Sequence, residues 1–343
     1  MPDAPAAAGR ALLIQTAFLG DVVLTTPLIE ALAARYGPVD VVTTPAAAPL
    51  LETHPAVRRV IPYDKKGRDR GVRGLLRLAR VLRAEQYECA YLPHRSLRTA
   101  LAAWLARIPQ RVGFEDGWPS FYTDIRRRGT QGHEIDRLLA LAGVAGHRAR
   151  PALHATVADC MATEGFLREH GIRAPFIALA PGSIWGSKRW PYYAGLAERL
   201  AGRVGILVVG GPEDAALAAE ITETVARAGG RAVSGCGRLT VRQSAEAIRR
   251  ASVLVTNDSA PLHFAQAVDT PTVAIFGSTV PSFGFGPRGP RDQVVQVGGL
   301  PCRPCSAHGP PSCPLGHHRC MKSLSVQDVL HAIEETGALR RRD

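Results

Sequence analysis

The sequence predicts an α/β fold made of two Rossmann-like domains, each built on a parallel β-sheet. Short apolar runs alternate with helical segments up to about residue 172, and a second alternation of the same kind begins at Phe176. Such alternation is typical of parallel strands joined by crossover helices. The chain is also long enough, at 343 residues, for two domains of about 150 residues each.

In the first half, apolar runs predict strands and helical periodicity predicts the helices between them. The strands are expected at residues 11–15, 39–43, 57–61, 89–93 and 112–114, and the helices at 24–36, 75–84 and 98–105. The loop after the first strand ends in Gly20 and Asp21. Gly20 is expected to permit a tight turn. Asp21 lies at the carboxyl end of a strand, where open α/β sheets bind ligands, although an Asp there also commonly caps a helix.

The second half repeats the pattern after a connecting segment with a helix at about 159–170. Its strands are expected at 177–180, 205–209, 232–233, 253–256 and 272–276, with a last helix at 325–335. The loop after its first strand carries Lys188 and Arg189. Asp258 and Ser259 are expected to cap a helix that has Pro261 in its first turn. Backbone N–H groups and a helix N-terminus in this setting suit a phosphate or pyrophosphate.

Several segments together resemble the ADP-heptose-using heptosyltransferases of lipopolysaccharide core assembly, glycosyltransferase family nine, and the heptosyltransferase II type most closely. The resemblance runs from about Ala11 to Ile333. It rests on Gly20-Asp21 with Thr25-Thr26-Pro27, the stretch 95–113, Pro181-Gly182 with Lys188-Arg189-Trp190-Pro191, Asn257-Asp258-Ser259 through His263, and Phe276-Gly277. One departure is Ala260, where the family usually has glycine. Its methyl group affects how closely the backbone approaches a phosphate.

The resemblance implies the GT-B architecture, in which two Rossmann-like domains face a central cleft. It assigns residues 1–172 to an acceptor-binding domain and 173–324 to a nucleotide-sugar donor-binding domain with a Cys-rich loop at 302–320. It also implies that the segment 325–343 forms a C-terminal helix that packs back on the N-terminal domain.

The resemblance also implies an inverting transfer of L-glycero-D-manno-heptose from ADP-heptose, with no cofactor required for the chemistry. Asp21 is the expected general base for the acceptor hydroxyl. Lys188 is expected to stabilise the charge that develops on the departing pyrophosphate. The acceptor is expected to be phosphorylated Kdo-lipid A or heptosylated core, so that carboxylates and phosphates face arginines.

The remaining site residues fall into a donor set and an acceptor set. The donor set comprises Gly20, Ser183, Ser187, Glu213, Asp258, Ser259, Ala260 and His263, and the acceptor set comprises Arg68, Arg95, Arg98 and Arg111. Glu213 suits ribose hydroxyls because it follows a strand. Asp258 suits a helix cap or a sugar hydroxyl rather than phosphate. For the serines, loop solvation is the alternative, and for His263 a structural role.

Four of the seven cysteines cluster near the C-terminus. Cys302, Cys305, Cys313 and Cys320 allow a structural zinc site or a group of reduced thiols. The later spacing lacks a second Cys-x2-Cys pair. Disulfides are disfavoured in a cytosolic chain.

The net charge of +12 indicates anionic partners such as nucleic acid, an acidic lipid surface or phosphorylated sugars. Only four of the cations are lysines, and the Arg- and Ala-rich composition points to coding bias, so charge alone decides little. The chain has no apolar run of about 18 residues and no signal-like start. A cytoplasmic protein, peripheral on the anionic inner-membrane surface, is therefore expected.

The absence of several well-known motifs disfavours other enzyme classes, and three alternative functions remain. The chain has no P-loop, no Gly-x-Gly-x-x-Gly directly after a predicted strand, no His-Glu-x-x-His and no Gly-x-Ser-x-Gly. The alternatives are a family nine transferase for another glycan or metabolite, a nucleotide-sugar-binding protein without turnover, and a non-enzymatic basic nucleic-acid-binding protein with a Cys/His tail. On the transferase interpretation, nucleic acid is not a partner.

Overall fold

The computed structural model describes residues 10–144 and 149–339. The chain divides into two compact units, residues 1–154 and 155–343. The start of the chain, on which the absence of a signal peptide was argued, and the last four residues lie outside the described part. No helix within the described residues is long and apolar enough to cross a membrane.

The first unit contains a six-stranded parallel sheet in the order β3-β2-β1-β4-β5-β6. Its strands are β1 Ala11–Ile14, β2 Val39–Thr43, β3 Val57–Pro62, β4 Cys89–Leu92, β5 Gln110–Phe114 and β6 Asp124–Arg126. Its helices are α1 Leu19–Leu24, α2 Thr26–Tyr36, α3 Ala48–Leu51, α4 Gly71–Ala84, α5 Leu97–Leu105 and α6 Glu134–Leu141. The central strands are buried along their whole length, which is why they are continuous apolar runs.

The second unit repeats this architecture with the order β12-β11-β10-β7-β8-β9, again all parallel. Its strands are β7 Phe176–Ala180, β8 Gly205–Val208, β9 Ala232–Ser234, β10 Val253–Asn257, β11 Thr272–Phe276 and β12 Gln293–Gln296. Its helices are α7 Val157–Glu169, α8 Tyr193–Leu200, α9 Ala215–Arg227, α10 Val241–Arg250, α11 Ala260–Ala267, α12 Arg319–Lys322 and α13 Val326–Glu335. Both sheets have the doubly wound strand order, so the predicted pair of Rossmann-like parallel-sheet domains is confirmed.

The boundary between the two units lies at 154/155, earlier in the sequence than the expected 172/173, because α7 belongs to the second unit. Two arginines of α10 hold it there. Arg242 Nε lies 2.8 Å from Asp159 Oδ2, and Arg250 Nη1 lies 3.3 Å from Glu164 Oε2. The connection that the sequence suggested therefore packs as part of the second fold.

The C-terminal helix α13 packs against α8, β11 and β12 of its own unit. Its apolar residues Val329, Leu330 and Ile333 enter the second unit's hydrophobic core. That apolar face is used within the second unit, where the resemblance implied packing on the first.

Local differences from the expected elements have simple causes. The helix expected from residue 24 to 36 is two helices, α1 and α2, which meet at Thr25. The hydroxyl of Thr25 donates to the Asp21 carbonyl oxygen at 2.6 Å, and Pro27 stands in the first turn of α2. Gly20 is the buried second residue of α1, so the expected turn role of this glycine is wrong. Strands β6 and β12, at the sheet edges, were missed because they are short and half-exposed.

Candidate active site

Each sheet reverses its strand order at one place, which is where open α/β sheets bind ligands. In the first unit this switch point lies between β1 and β4, and in the second between β7 and β10. The segments that follow β1, β7 and β10 carry Asp21, Lys188 and Asp258, respectively. The topology thus places the principal candidates at the carboxyl edge of their own sheets.

Asp21 lies at the start of α1, half-buried, and its Oδ2 accepts the backbone N–H of Phe18 at 3.2 Å. The capping alternative is therefore observed. Burial raises the pKa of Asp21 to about 6, and the negative charge of Glu134 adds to the rise. The Phe18 N–H and the positive charge of Arg128 oppose it. A carboxylate with this pKa is ionised at neutral pH and is more basic than an ordinary aspartate, as a general base requires.

Glu134, the acidic neighbour of Asp21, was not found from the sequence. It opens α6, is only 5% exposed, and its Oε1 lies 2.5 Å from Arg128 Nη2. Arg137 contacts its other oxygen at 3.5 Å. No local pattern distinguishes Glu134 from an ordinary first-turn acid. Only the packing of α6 against α2 and β5 brings it near the start of α1.

The same switch point carries a polar group formed by Thr16, His94 and Lys65. Thr16 Oγ1 lies 3.5 Å from His94 Nδ1, and Lys65 Nζ donates to the Thr16 carbonyl oxygen at 2.7 Å. Burial lowers the pKa of His94 to about 4, helped by the positive charges of Lys65 and Arg95. His94 is therefore neutral at physiological pH. These residues follow strands β1, β3 and β4, so the strand-end rule that selected Asp21 also applies to them.

Two of the four acceptor candidates, Arg98 and Arg111, are held by the protein itself. Arg98 donates to the Tyr63 hydroxyl and, at 3.0 Å, to the Asp69 carbonyl oxygen. Arg111 donates to the Phe121 carbonyl oxygen at 2.7 Å, and burial lowers the pKa of its guanidinium. Both side chains tie loops together, which makes them poor candidates for direct contact with a substrate.

The other two acceptor candidates are exposed. Arg68 pairs with Asp69 at 3.3 Å and Arg95 pairs with Asp116 at 3.4 Å. In both pairs the guanidinium itself is exposed, so its contact with the carboxylate is weak and exchanges readily with other anions. Arg68 and Arg95 therefore stay candidates for an anionic acceptor.

In the second unit, Lys188 and Asp258 form a buried ion pair across the switch point. Lys188 Nζ lies 2.7 Å from Asp258 Oδ2, and the Thr279 hydroxyl donates to the same oxygen at 2.6 Å. Asp258 was expected to cap α11, but it does not, because its carboxylate is engaged by this cation and this hydroxyl. Ser259 holds the N-cap position, but its Oγ lies 3.4 Å from both the Asn257 carbonyl oxygen and Thr256 Oγ1. The side-chain caps predicted for α11 are thus wrong.

Asn257, the last residue of β10, fixes the loop that carries Lys188. Its Nδ2 donates to the Pro181 carbonyl oxygen at 2.8 Å, and its Oδ1 accepts the Trp190 N–H at 3.1 Å. Asn257 is fully buried, so both contacts are shielded from water and hold the loop firmly. The sequence placed Asn257 in the motif but gave it no role.

The Cys-rich segment packs directly on the Lys188 loop. Ser187 Oγ lies 2.6 Å from the Pro310 carbonyl oxygen and 2.9 Å from Ser278 Oγ. His318 Nε2 donates to the Ser187 carbonyl oxygen at 2.9 Å. Gly309, at φ +82°, lies against the aliphatic part of Lys188, where an added Cβ would be 3.1 Å from Cε. Ser187, fully buried, thus has a structural role in addition to the donor contact expected for it.

Arg303 connects this segment to Thr279, whose hydroxyl donates to Asp258. Its Nη2 donates to the Thr279 carbonyl oxygen at 2.8 Å, while the N–H of Cys305 donates to the Ser278 carbonyl oxygen at 2.9 Å. Arg303 also interacts electrostatically with Cys302, Cys305 and Cys320.

All seven cysteines are free thiols. Within the described residues, no group of three or more His, Cys, Asp or Glu side chains is arranged to hold a metal ion. The zinc interpretation of Cys302, Cys305, Cys313 and Cys320 therefore has no assembled ligand set, and none of the chemistry below depends on it.

The other donor candidates lie on the same loops of the second unit. Ser183 Oγ accepts the Trp185 N–H at 3.2 Å, and Ala260 is the first residue of α11. Glu213 is exposed just after β8, where it folds back over Gly211. His263 is buried one turn into α11, and burial lowers its pKa.

His263 Nδ1 lies 2.9 Å from Gln266 Oε1 and therefore donates to it. The contact shows that His263 has a structural role, which the sequence indicated as the alternative to donor binding. The ring also interacts electrostatically with Asp258 and Lys188, so it remains next to the candidate donor site.

Comparison with known proteins gives one consistent result. The family model of glycosyltransferase family 9 (heptosyltransferase) matches residues 75–312. Lipopolysaccharide heptosyltransferase 2 of Escherichia coli K12 is 28% identical over 295 residues, covering 80% of this chain and 84% of that protein. The Salmonella typhimurium protein of the same name is 26% identical over 302 residues, with the same coverage.

Solved structures agree over nearly the whole chain. The structure of E. coli ADP-heptose lipopolysaccharide heptosyltransferase II has a TM-score of 0.76 and 25% identity, covering 96% of this chain and 98% of that one. A family 9 glycosyl transferase from Veillonella parvula has a TM-score of 0.85 and 23% identity, with 98% of each chain covered. The predicted fold class is thereby confirmed a second time.

Proposed function

The chain belongs to glycosyltransferase family 9, and from that premise we propose that it transfers L-glycero-D-manno-heptose from ADP-heptose to the inner core of lipopolysaccharide. The observation that carries the proposal is a carboxylate with a pKa of about 6, Asp21, at the switch point of the first sheet. The names of the relatives above support the choice of sugar and glycan.

Asp21 is the proposed general base. As the bond between the anomeric carbon and the ADP oxygen breaks, the acceptor hydroxyl attacks from the opposite face and loses its proton to the Asp21 carboxylate. A single displacement of this kind inverts the anomeric centre and needs no covalent intermediate. The Phe18 N–H holds one carboxylate oxygen in place, which leaves the other oxygen to accept the proton.

Lys188 is the proposed electrophilic partner of the leaving group. Negative charge increases on the β-phosphate as the sugar departs, so a fixed ammonium stabilises the transition state more than the ground state. Asp258 holds the ammonium in place through the ion pair, and Asn257 holds the loop that carries Lys188. A bound pyrophosphate competes with Asp258 for the ammonium, and the hydroxyl of Thr279 then remains to satisfy the carboxylate.

The proposed donor contacts follow the loops at the second switch point. The first turn of α11, from Ser259 and Ala260, presents backbone N–H groups to phosphate. Glu213, in the segment that follows β8, suits the ribose hydroxyls. We assign no cofactor to the chemistry, and undiminished transfer in the presence of EDTA is the expected result.

The proposed acceptor is phosphorylated Kdo-lipid A or a heptosylated core, met at the cytoplasmic face of the inner membrane. Arg68 and Arg95 are the exposed cations available to its carboxylates and phosphates. Guanidinium groups bind both anions through paired hydrogen bonds. A family 9 transferase for another glycan or metabolite has the same chemistry and differs only in this acceptor.

A donor and acceptor screen tests the proposal. ADP release is measured with ADP-heptose, ADP-glucose and UDP-glucose, each with Kdo-lipid A, with heptosylated core, and without acceptor. We expect acceptor-dependent release from ADP-heptose alone. Equal rates with the uridine-linked donor would contradict the donor assignment. If neither acceptor stimulates ADP release, the alternative of a transferase for another glycan is favoured. Membership in an enzyme family already weighs against the nucleic-acid-binding and non-turnover alternatives.

A further inference from the structure

Large apolar side chains are exposed at one edge of the first unit. Val72 is 69% exposed, and Leu76 and Leu97 are each 41% exposed. Val72 and Leu76 lie in the first two turns of α4, and Leu97 is the first residue of α5. Because α4 and α5 follow parallel strands β3 and β4, both helices begin at the carboxyl edge of the sheet. The three side chains are thus at the edge that also holds Asp21.

The same part of the chain is strongly cationic. Residues 65–84 contain eight Lys and Arg residues and a single acid, Asp69. Asp69 is buried and already paired with Arg68 and Arg77, at 3.3 and 2.8 Å. Helix α4 contains four arginines and neither Asp nor Glu. Its outward side therefore alternates exposed aliphatic groups with exposed guanidinium groups, while its leucines at other positions fill the core.

We propose that Val72, Leu76 and Leu97, with the arginines of α4, form a surface that docks on an anionic lipid bilayer. The inference rests on the proposed function, in which the acceptor sugar is attached to a lipid. Aliphatic side chains among arginines suit a bilayer interface, since the apolar groups enter below the headgroups and the guanidinium groups stay at the phosphates. Each cation near an anionic membrane surface contributes about 1 kcal/mol.

Charge complementarity favours an anionic bilayer over a second copy of the chain or nucleic acid as the partner of this surface. A second copy of the chain would bring the same cationic surface against itself in a two-fold dimer, and like charges would oppose each other. Nucleic acid would satisfy the arginines but would leave Val72, Leu76 and Leu97 without an apolar partner. A bilayer with acidic headgroups satisfies both. Continuity with the edge that carries Asp21 would place the sugar of a lipid-anchored acceptor next to the proposed base.

Vesicle sedimentation tests the surface with two groups of variants. The full-length protein is mixed with phosphatidylcholine vesicles with and without phosphatidylglycerol. The apolar variant is V72S/L76S/L97S and the charge variant is R73Q/R80Q. The matched controls are V157S/M161S, two exposed apolar residues of α7, and R199Q/R227Q, two exposed arginines of α8 and α9.

We expect binding to the phosphatidylglycerol vesicles, weakened by salt. The apolar variant is expected to lower the partition coefficient at least about tenfold and the charge variant about thirtyfold, while both controls stay within about twofold of the parent. Absence of binding by the parent protein, or equal binding by all variants, would overturn the proposal. The proposal would also be overturned if the variants changed the oligomeric state in sedimentation velocity and left vesicle binding unchanged.

A soluble acceptor separates this inference from the proposed function. On a delipidated core oligosaccharide, the apolar and charge variants are expected to keep the parent's turnover, which also verifies that they are folded. Vesicle binding by a protein that transfers no heptose would refute the proposed function and leave the docking surface standing. Loss of turnover on the soluble acceptor by the apolar variant would show that these residues serve the reaction site and would overturn the docking role.

Discussion

The ammonium of Lys188 lies 2.7 Å from the carboxylate of Asp258, and both side chains are about nine-tenths buried. The pair joins the loops that follow β7 and β10, the two strands at which the second sheet reverses its order. The Thr279 hydroxyl donates to the same carboxylate, and hydrogen bonds of Asn257 and Ser187 fix the loop that carries Lys188. A cation held in this way at a switch point is the feature of the second unit best suited to a pyrophosphate.

The ion pair predicts a specific pattern of stability. Lys188→Met leaves Asp258 as a buried, unpaired charge, and the free energy of unfolding should fall by about 3 kcal/mol. Lys188→Met combined with Asp258→Asn removes that charge and should recover a large part of the loss. Urea unfolding of the two single variants and the double variant measures the coupling. Additive losses would show that the two residues do not interact in solution.

The contact between Gly309 and Lys188 predicts a difference between two glycine variants. Gly309→Ala should lower kcat/KM about tenfold, because the new methyl group would lie 3.1 Å from Lys188 Cε and 2.9 Å from Ser278 Oγ. Gly316→Ala is the control, since Gly316 also has a positive φ of +71° but an added Cβ meets nothing within 4 Å. Both variants carry the same backbone strain. Steady-state kinetics with varied donor is the measurement, and equal effects of the two changes would argue against the contact.

The pKa of Asp21 predicts the acidic limb of the pH profile. A base must be ionised to act, so kcat/KM should fall below a pH of about 6. Glu134→Gln removes the negative charge that raises this pKa, and the limb should then move toward lower pH. Glu164→Gln, an exposed acid of the second unit, is the control and should leave the limb in place. A limb that does not respond to Glu134→Gln would assign the titration to another group.

The same pKa predicts a gain in stability when Asp21 is replaced. Because the folded-state pKa lies above the ordinary value of 3.8, the folded protein favours the protonated form, and ionisation lowers stability as pH rises from about 4 to 6. Asp21→Asn should therefore be more stable than the parent at pH 7.5, by about 1–2 kcal/mol after allowance for its partial exposure.

Thermal unfolding at two pH values measures this effect. The difference between Asp21→Asn and the parent should narrow toward zero at pH 4, where the parent's Asp21 is protonated in the folded state. A variant that is less stable than the parent at pH 7.5 would show that Asp21 serves as a helix cap more than as a base. Loss of activity together with a gain in stability is the usual sign of a catalytic group held in an unfavourable environment.

The sequence predicted the fold and the principal loops because those features are local. Buried parallel strands are continuous apolar runs, so β1, β7, β10 and β11 could be recognised from their residues alone. The rule that ligands lie at the carboxyl ends of strands then drew attention to Asp21, and the family resemblance assigned the roles of Asp21 and Lys188. Edge strands β6 and β12 lack that signal because one side of each faces solvent.

Side-chain partnerships were beyond the sequence because they depend on packing between distant segments. Asp258 was expected to cap α11, yet the cation that engages it is 70 residues away in the chain. Glu134 acts on Asp21 only because α6 packs beside α2. Ser187 was expected to contact the donor, and the sequence did not predict that its hydroxyl also donates to a carbonyl oxygen of the Cys-rich segment. Each of these contacts joins elements whose separation no spacing rule predicts.

The most direct test of the central claim is the turnover of Asp21→Asn with ADP-heptose and a Kdo-lipid A acceptor, measured beside its affinity for ADP. We expect kcat to fall about 10³-fold, within the range that a general base contributes, while the Kd for ADP stays within about twofold of the parent. A variant that keeps turnover within about tenfold of the parent would contradict the assignment of Asp21 as the base.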